Sequence, residues 1–303
     1  MTVESIFNDF ISEINDKQLF VEGVAIADGE KVLLNHRFVP DRARIIYSHT
    51  KSFTSTAAGM AIDDGLLSLD CNVADFFPEA VPENCDSRVL DITLDDLLTM
   101  RSGFGKAYLM GAERKNGYQG YPDYVKFLLS REVVDDPGTR MEYSNGDTYL
   151  VGRMIEKAVG TTLINYLADR LFRIADIPFP IWGTDSMGHS FGASDLMLRL
   201  TDQLKLGQIF LNGGKWQSSR IVSEDWVRNA TSAHVTVNGT PTYGYQWWMS
   251  PWCGGYRADG AFGQITTVIP KKGLIASIQC PEYGKENETR PCYQEFTKKL
   301  SEI

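Results

Sequence analysis

β-Rich segments occupy both ends of this chain and helical segments its middle. That distribution constrains the fold more than any other feature of the sequence. Near the N-terminus, residues 20–27 and 31–35 are two β-rich runs around Asp28-Gly29, which predicts a hairpin. From Val235 onward the pattern turns to strands again, over residues 243–248, 264–269 and 274–279. The last two are joined by the turn Pro270-Lys271-Lys272-Gly273. Residues from about 71 to 187 read as mostly helical, broken by turns such as Asp135-Asp136-Pro137-Gly138, and residues 195–210 read as a further helix stopped at Asn212-Gly213-Gly214. Ile6, Phe7, Phe10, Ile11 and Ile14 mark an amphipathic helix at one end; Tyr293, Phe296 and Leu300 place an apolar stripe on another over residues 293–300. The simplest packing is α+β: an antiparallel sheet formed from both termini and flanked by helices, beside a mostly helical second lobe. Residues 1–70 and 188–303 are expected to build the sheet lobe and residues 71–187 the helical one. The cleft between them is the natural place for an active site.

Charge narrows the partners. The 303 residues carry 30 basic and 39 acidic side chains, a net charge of -9, with no dense Lys/Arg cluster. Nucleic acid and anionic membrane surfaces are therefore disfavoured, and a small molecule or short peptide is the expected ligand. The start, Met1-Thr2-Val3-Glu4-Ser5-Ile6-Phe7, has no basic n-region and no uninterrupted apolar core, so it does not read as a signal peptide. Five cysteines in no Cys-x-x-Cys pair point to reduced thiols and a cytoplasmic protein, with a Cys280–Cys292 bridge as the open alternative. The histidines fall into no metal-ligand spacing and there is no phosphate-binding Gly-x-x-x-x-Gly-Lys loop, so no metal or cofactor is expected.

Three stretches carry chemistry. The first is Ser48-His49-Thr50-Lys51, where an apolar segment enters a helix. Ser48 and Lys51, three apart, share one helix face, so a hydroxyl and an amine can form a nucleophile with its own base. A helix N-cap serine followed by a surface lysine would look the same. No other lysine here has a serine three places upstream, and the helix that follows is unusually apolar, with Phe53, Ala57 and Ala61 on one stripe and Gly65 closing it. A lysine buried there loses hydration, which lowers its pKa toward that of a useful base. His49 points about 100° away from Ser48 and is expected to be a packed or solvent-facing side chain rather than the base.

The second stretch, Tyr143-Ser144-Asn145, precedes a helix expected over residues 148–158 and can aim a phenol and an amide into a cleft. Alone, it reads equally as a core tyrosine and a helix-capping asparagine. The third is Tyr256-Arg257-Ala258-Asp259-Gly260-Ala261-Phe262-Gly263-Gln264, whose glycines mark either a plain bulge or a close backbone approach. Such an edge can offer an N–H to a developing oxyanion. Among the aromatic residues, Trp182, Trp247 and Trp252 read as core; Trp248 and Tyr256, which flank the third stretch, and Phe262 read as possible walls of a site.

Together and in this order, the three stretches resemble the penicillin-recognising serine hydrolases: class C β-lactamases, D-alanyl-D-alanine peptidases and related esterases. Residues 65–70, 97–104 and 137–145 resemble further stretches of the family, and the likeness runs from about residue 20 to the C-terminus. The resemblance implies a β-lactamase/transpeptidase-like fold and an acyl-enzyme at Ser48. Lys51 would take the proton of Ser48, directly or through Tyr143. Tyr143 would protonate the leaving group, and Asn145 would hold both Lys51 and the acyl side of the substrate. The N–H groups of Ser48 and Ala261 would form the oxyanion hole. The third stretch departs from the family pattern: Ala258-Asp259-Gly260 stands where Lys-Thr-Gly or His-Thr-Gly is usual. Asp259 would repel a substrate carboxylate, by roughly 4 kcal/mol at about 4 Å and an effective dielectric near 20. There is also no Glu-x-x-Leu-Asn stretch. An ester or amide without an anionic tail is therefore the expected substrate. The alternatives are a D-amino-acid peptidase or β-lactamase of the same fold, or a silent penicillin-binding-like module.

A rival serine exists. Gly188-His189-Ser190-Phe191-Gly192 fits Gly-x-Ser-x-Gly, with Asp225 and His234 following in triad order. The elbow needs a strand directly before it, and residues 180–186 make a poor one; alternating βα units are also missing. The plainer reading is a loop.

Overall fold

The computed structural model describes residues 1–111, 122–282 and 286–303; residues 112–121, within the expected helical lobe, lie outside the described residues. The terminal strands do pair. Gly23–Ala27 (β1), Val32–Arg37 (β2), Val235–Val237 (β3), Thr240–Tyr243 (β4), Trp248–Ser250 (β5), Gly255–Gly260 (β6), Gln264–Ile269 (β7) and Leu274–Gln279 (β8) form one antiparallel sheet in the order β2-β1-β8-β7-β6-β5-β4-β3. The join between the two chain ends is β1 on β8, with Gly23 opposite Gln279 and Ala27 opposite Ile275. β7 and β8 are buried at every residue, because helices cover both faces.

One cover comes from the termini. Helix α1 (Val3–Asp16) starts at a capping box on Thr2 and buries Ile6, Phe7, Phe10 and Ile14. The C-terminal helix, Glu286–Glu302, is longer than its stripe predicted and buries Tyr293, Phe296 and Leu300. Phe10 stacks on Phe296 at 4.3 Å, and this layer packs on Val24, Ile26, Ile265 and Ile278 of the sheet. On the opposite face Gly207, in the helix Leu200–Leu211, meets Ile275 and Thr266, and a second core continues into the residues around Leu150 and Leu167.

Helix α2 (Thr50–Asp63) is central. It is not amphipathic as the stripe implied: everything from Thr50 to Ala61 is buried. Three of its hydroxyls are therefore spent on carbonyls of other segments: Ser52 on Gln246 (2.8 Å), Ser55 on Tyr245 (2.7 Å) and Thr54 on Gly192 (2.7 Å). These bonds also explain one departure from expectation. Residues 243–248 are not a strand: they turn between β4 and β5, with Gln246 at φ 64°, because helix hydroxyls take the carbonyls a strand partner would have used. A second departure lies at residues 195–198. Leu196–Leu198 is a short strand paired with Arg44–Ile45 and Ile181–Trp182, and the helix begins only at Leu200. None of the five cysteines is paired, and among the described residues no helix is long and apolar enough to cross a membrane.

Candidate active site

Ser48 lies in a single 3-10 turn, Tyr47–His49, that runs straight into α2. Its side chain is half-buried, and Lys51 one turn on is 1% exposed. Lys51 Nζ is 3.1 Å from Ser48 Oγ, 2.6 Å from Asn145 Oδ1 and 2.9 Å from the Ala193 carbonyl. Burial pulls the Lys51 pKa down to about 7, against the attraction of Asp147 and Asp195. A neutral amine has two hydrogens and one lone pair. In the neutral amine the carbonyls of Asn145 and Ala193 take both hydrogens and leave the lone pair toward Ser48, whereas in the ammonium the third N–H donates to Ser48 Oγ.

Asn145 reaches this position through its helix. The helix α3 (Asn145–Val159) starts three residues earlier than expected, with Ser144 rather than Asn145 as its cap: Ser144 Oγ accepts from the Gly146 N–H at 3.1 Å. Asn145 is thereby free to accept from Lys51, while its Nδ2 donates to the Leu109 carbonyl at 2.9 Å. That second bond orients the amide with its oxygen toward the lysine. Asp147, fully buried one residue beyond Gly146, accepts from Ser102 Oγ (3.0 Å), and burial pushes its pKa up to about 7.

Tyr143 stands over the lysine, with Lys51 Nζ 5.0 Å from the ring centre. Its ring packs against Trp248 at 5.3 Å, and the neighbouring Ser48 and Trp248 side chains favour the ionised phenol. Burial outweighs them and pushes the phenol well above its usual pKa, so it stays protonated at neutral pH.

The third stretch is a strand end and a tight turn. β5 pairs with β6 only over Gly255–Arg257, so among the described residues no strand covers that edge at Ala258–Gly260. Gly260 must be glycine: a Cβ there would lie 2.1 Å from the Ile46 carbonyl oxygen. The close backbone approach is thus the correct reading of this stretch, and it sets the turn Ala261–Gly263 beside the Ser48 turn. Ala261 is exposed at the turn, and Phe262, at φ 61°, lays its ring 4.9 Å from that of Tyr47.

Two expectations fail here. Asp259 does not present a free negative charge: it accepts from Arg257 Nε (2.7 Å) and Arg290 Nη1 (2.7 and 2.9 Å). Two guanidiniums neutralise it, and the argument from carboxylate repulsion falls with it. Tyr256 is no site wall, since it is buried edge-on against Trp247 in the core. Trp248, half-buried over Tyr143, keeps its place. The rival serine is not assembled. Ser190 is 1% exposed, accepts from the Ile164 N–H and gives its own N–H to Glu156. Asp225 pairs with Arg228, and His234 stacks on Tyr245. The sheet is antiparallel throughout, which excludes the α/β-hydrolase arrangement.

Sequence reasoning missed the two backbone acceptors, Ala193 and Leu109, and carbonyls leave no residue-type signal. It also missed Asp147, whose place two residues after Asn145 offered the only hint.

The family model described as Beta-lactamase matches residues 11–281. The chain is similar to the lovastatin esterase of Penicillium rubens, 30% identical over 62% of this chain and 52% of the esterase. It is also similar to the 6-aminohexanoate-dimer hydrolase of Paenarthrobacter ureafaciens, 24% identical over 70% of this chain and 59% of that one. It therefore spans little more than half the length of either relative. Among solved structures, a penicillin-binding protein from Bacillus halodurans superposes over 100% of both chains with a TM-score of 0.72 at 16% identity, which speaks for the fold alone. The family model covers most of the chain, so the chain belongs to the beta-lactamase family.

Proposed function

We propose that this protein is a serine hydrolase that passes through an acyl-enzyme at Ser48 and acts on an ester or amide without an anionic tail. The observation that carries the reading is the Lys51 amine: buried, held by two carbonyls and facing the Ser48 hydroxyl at 3.1 Å. Lys51 takes the Ser48 proton as Oγ bonds to the substrate carbonyl carbon. The N–H groups of Ser48 and Ala261 receive the resulting oxyanion. Tyr143 gives its proton to the leaving oxygen or nitrogen as that bond breaks, and recovers one from the Lys51 ammonium. Water then attacks the acyl carbon, giving its proton to Lys51 directly or through Tyr143, and Ser48 takes that proton as it leaves as the hydroxyl.

The substrate class rests on two supports. Ala258, at the place of the usual cation, is fully buried and offers nothing to a carboxylate. The relatives named as lovastatin esterase and 6-aminohexanoate-dimer hydrolase support an ester or amide bond as the target, and the missing anionic tail rests on Ala258 alone. The test is labelling with a fluorophosphonate followed by intact mass and peptide mapping, alongside p-nitrophenyl ester turnover. One adduct on Ser48, with both labelling and turnover lost in Ser48→Ala, is the expected result. Turnover persisting in Ser48→Ala refutes the reading, and turnover by the wild type with no adduct at Ser48 refutes the acyl-enzyme.

A further inference from the structure

His49 is adjacent to the nucleophile but takes no part in the proton path above. It is 0% exposed, and its Nδ1 lies 3.3 Å from the backbone carbonyl of Gln264. Gln264 opens β7 immediately after the turn Ala261–Gly263 and pairs with Gly260 across that turn. From the other side, Gly260 sits against the Ile46 carbonyl so closely that no Cβ fits. Two contacts therefore tie residues 46–49 to residues 260–264. The Ser48 N–H lies within the first span and the Ala261 N–H within the second.

We propose that His49 is a positioning residue: its ring N–H, held on the Gln264 carbonyl, fixes the spacing between the two backbone N–H groups that receive the oxyanion. The inference rests on the acyl-enzyme reading above. Burial pulls the His49 pKa down to about 4, so the ring is neutral across the working range and keeps one N–H for this bond. A clamp of this kind acts on the charge that develops in the transition state, and hardly on ground-state binding.

The experiment compares full-length wild type, His49→Ala, His49→Asn and Gly260→Ala in p-nitrophenyl butyrate turnover and in inhibition by phenylboronic acid, which forms a tetrahedral adduct on a reactive serine. In His49→Ala, kcat is expected to fall roughly 10- to 100-fold with KM changed less than about threefold. Boronate affinity should fall in parallel with kcat/KM. His49→Asn, with a shorter N–H donor, should recover several-fold of the loss. Should His49→Ala fail to fold, Gly260→Ala loads the same clamp with His49 intact and should show the same split. Unchanged kcat in a folded His49→Ala or Gly260→Ala, or a fall in kcat with boronate affinity unchanged, overturns the proposal. Ser48→Ala separates the two readings. Activity surviving there brings down the acyl-enzyme, whereas a dead Ser48→Ala beside an unaffected His49→Ala brings down only the clamp.

Discussion

Ser48 and Ser190 both sit in stretches that match nucleophile motifs, and the fold treats them oppositely. Ser48 is half-buried beside an amine whose hydrogens are already committed. Ser190 is sealed, and its nearest polar partners are backbone N–H groups and Glu156, which themselves fasten a loop. The stretch around Ser190 still serves the first site. Gly192 accepts from Thr54 on α2, and the Ala193 carbonyl holds Lys51. A motif lists neighbours along the chain, whereas nucleophilicity depends on neighbours in space. The difference shows that a matching spacing becomes a site only where a base can be desolvated next to an accessible hydroxyl.

The contrast can be broken most directly by exchanging serines for alanines. Ser48→Ala and Lys51→Ala should each cut kcat on p-nitrophenyl esters by about 10³-fold or more with the fold retained by circular dichroism; near-full activity in either would erase the distinction. Tyr143→Phe removes only the donor to the leaving group and should cost about 10²- to 10⁴-fold in kcat, read most cleanly with a poor leaving group. The pH profile sharpens the same point. In the proposed mechanism Lys51 acts as the neutral amine, so kcat/KM should rise with pH through about 7 and fall below it as the ammonium forms. A rate that climbs instead only near pH 10 would mean the amine is hydrated. Nitrocefin turnover should be feeble beside ester turnover, since Ala258 offers no cation to the cephem carboxylate; rapid nitrocefin hydrolysis would make that cation irrelevant. The smallest effect belongs to Ser190→Ala. It should leave ester turnover within twofold and lower the melting temperature by a few degrees, for a loss of about 1 kcal/mol from a buried hydroxyl. Loss of turnover without loss of stability would promote Ser190 to a site residue.

Much of the fold was legible because period and turn chemistry are local. The hairpin at Asp28-Gly29, the strands 264–269 and 274–279 with the turn between them, and both terminal helices follow from patterns within a few residues. Residues 243–248 misled because Tyr245, Gln246 and Trp247 are buried for a different reason: the carbonyls of Tyr245 and Gln246 accept from hydroxyls of the helix packed against them. Residues 195–198 misled because a three-residue strand has too few side chains to show a period. Asp259 misled in the site, since one of the two cations that neutralise it, Arg290, is 31 residues away.

The sequence by itself determined which chemical groups exist and their local spacing: a serine one helical turn from a lysine, a tyrosine two residues from an asparagine, and glycine where another backbone comes near. Only the tertiary structure decided which of these groups meet and in what surroundings. It buried Lys51 to bring its pKa near 7, used carbonyls from two distant segments to occupy its hydrogens, and closed Ser190 away from solvent. The physical reason is that hydration and hydrogen-bond partnership depend on segments far apart in the chain, and no window of sequence contains them.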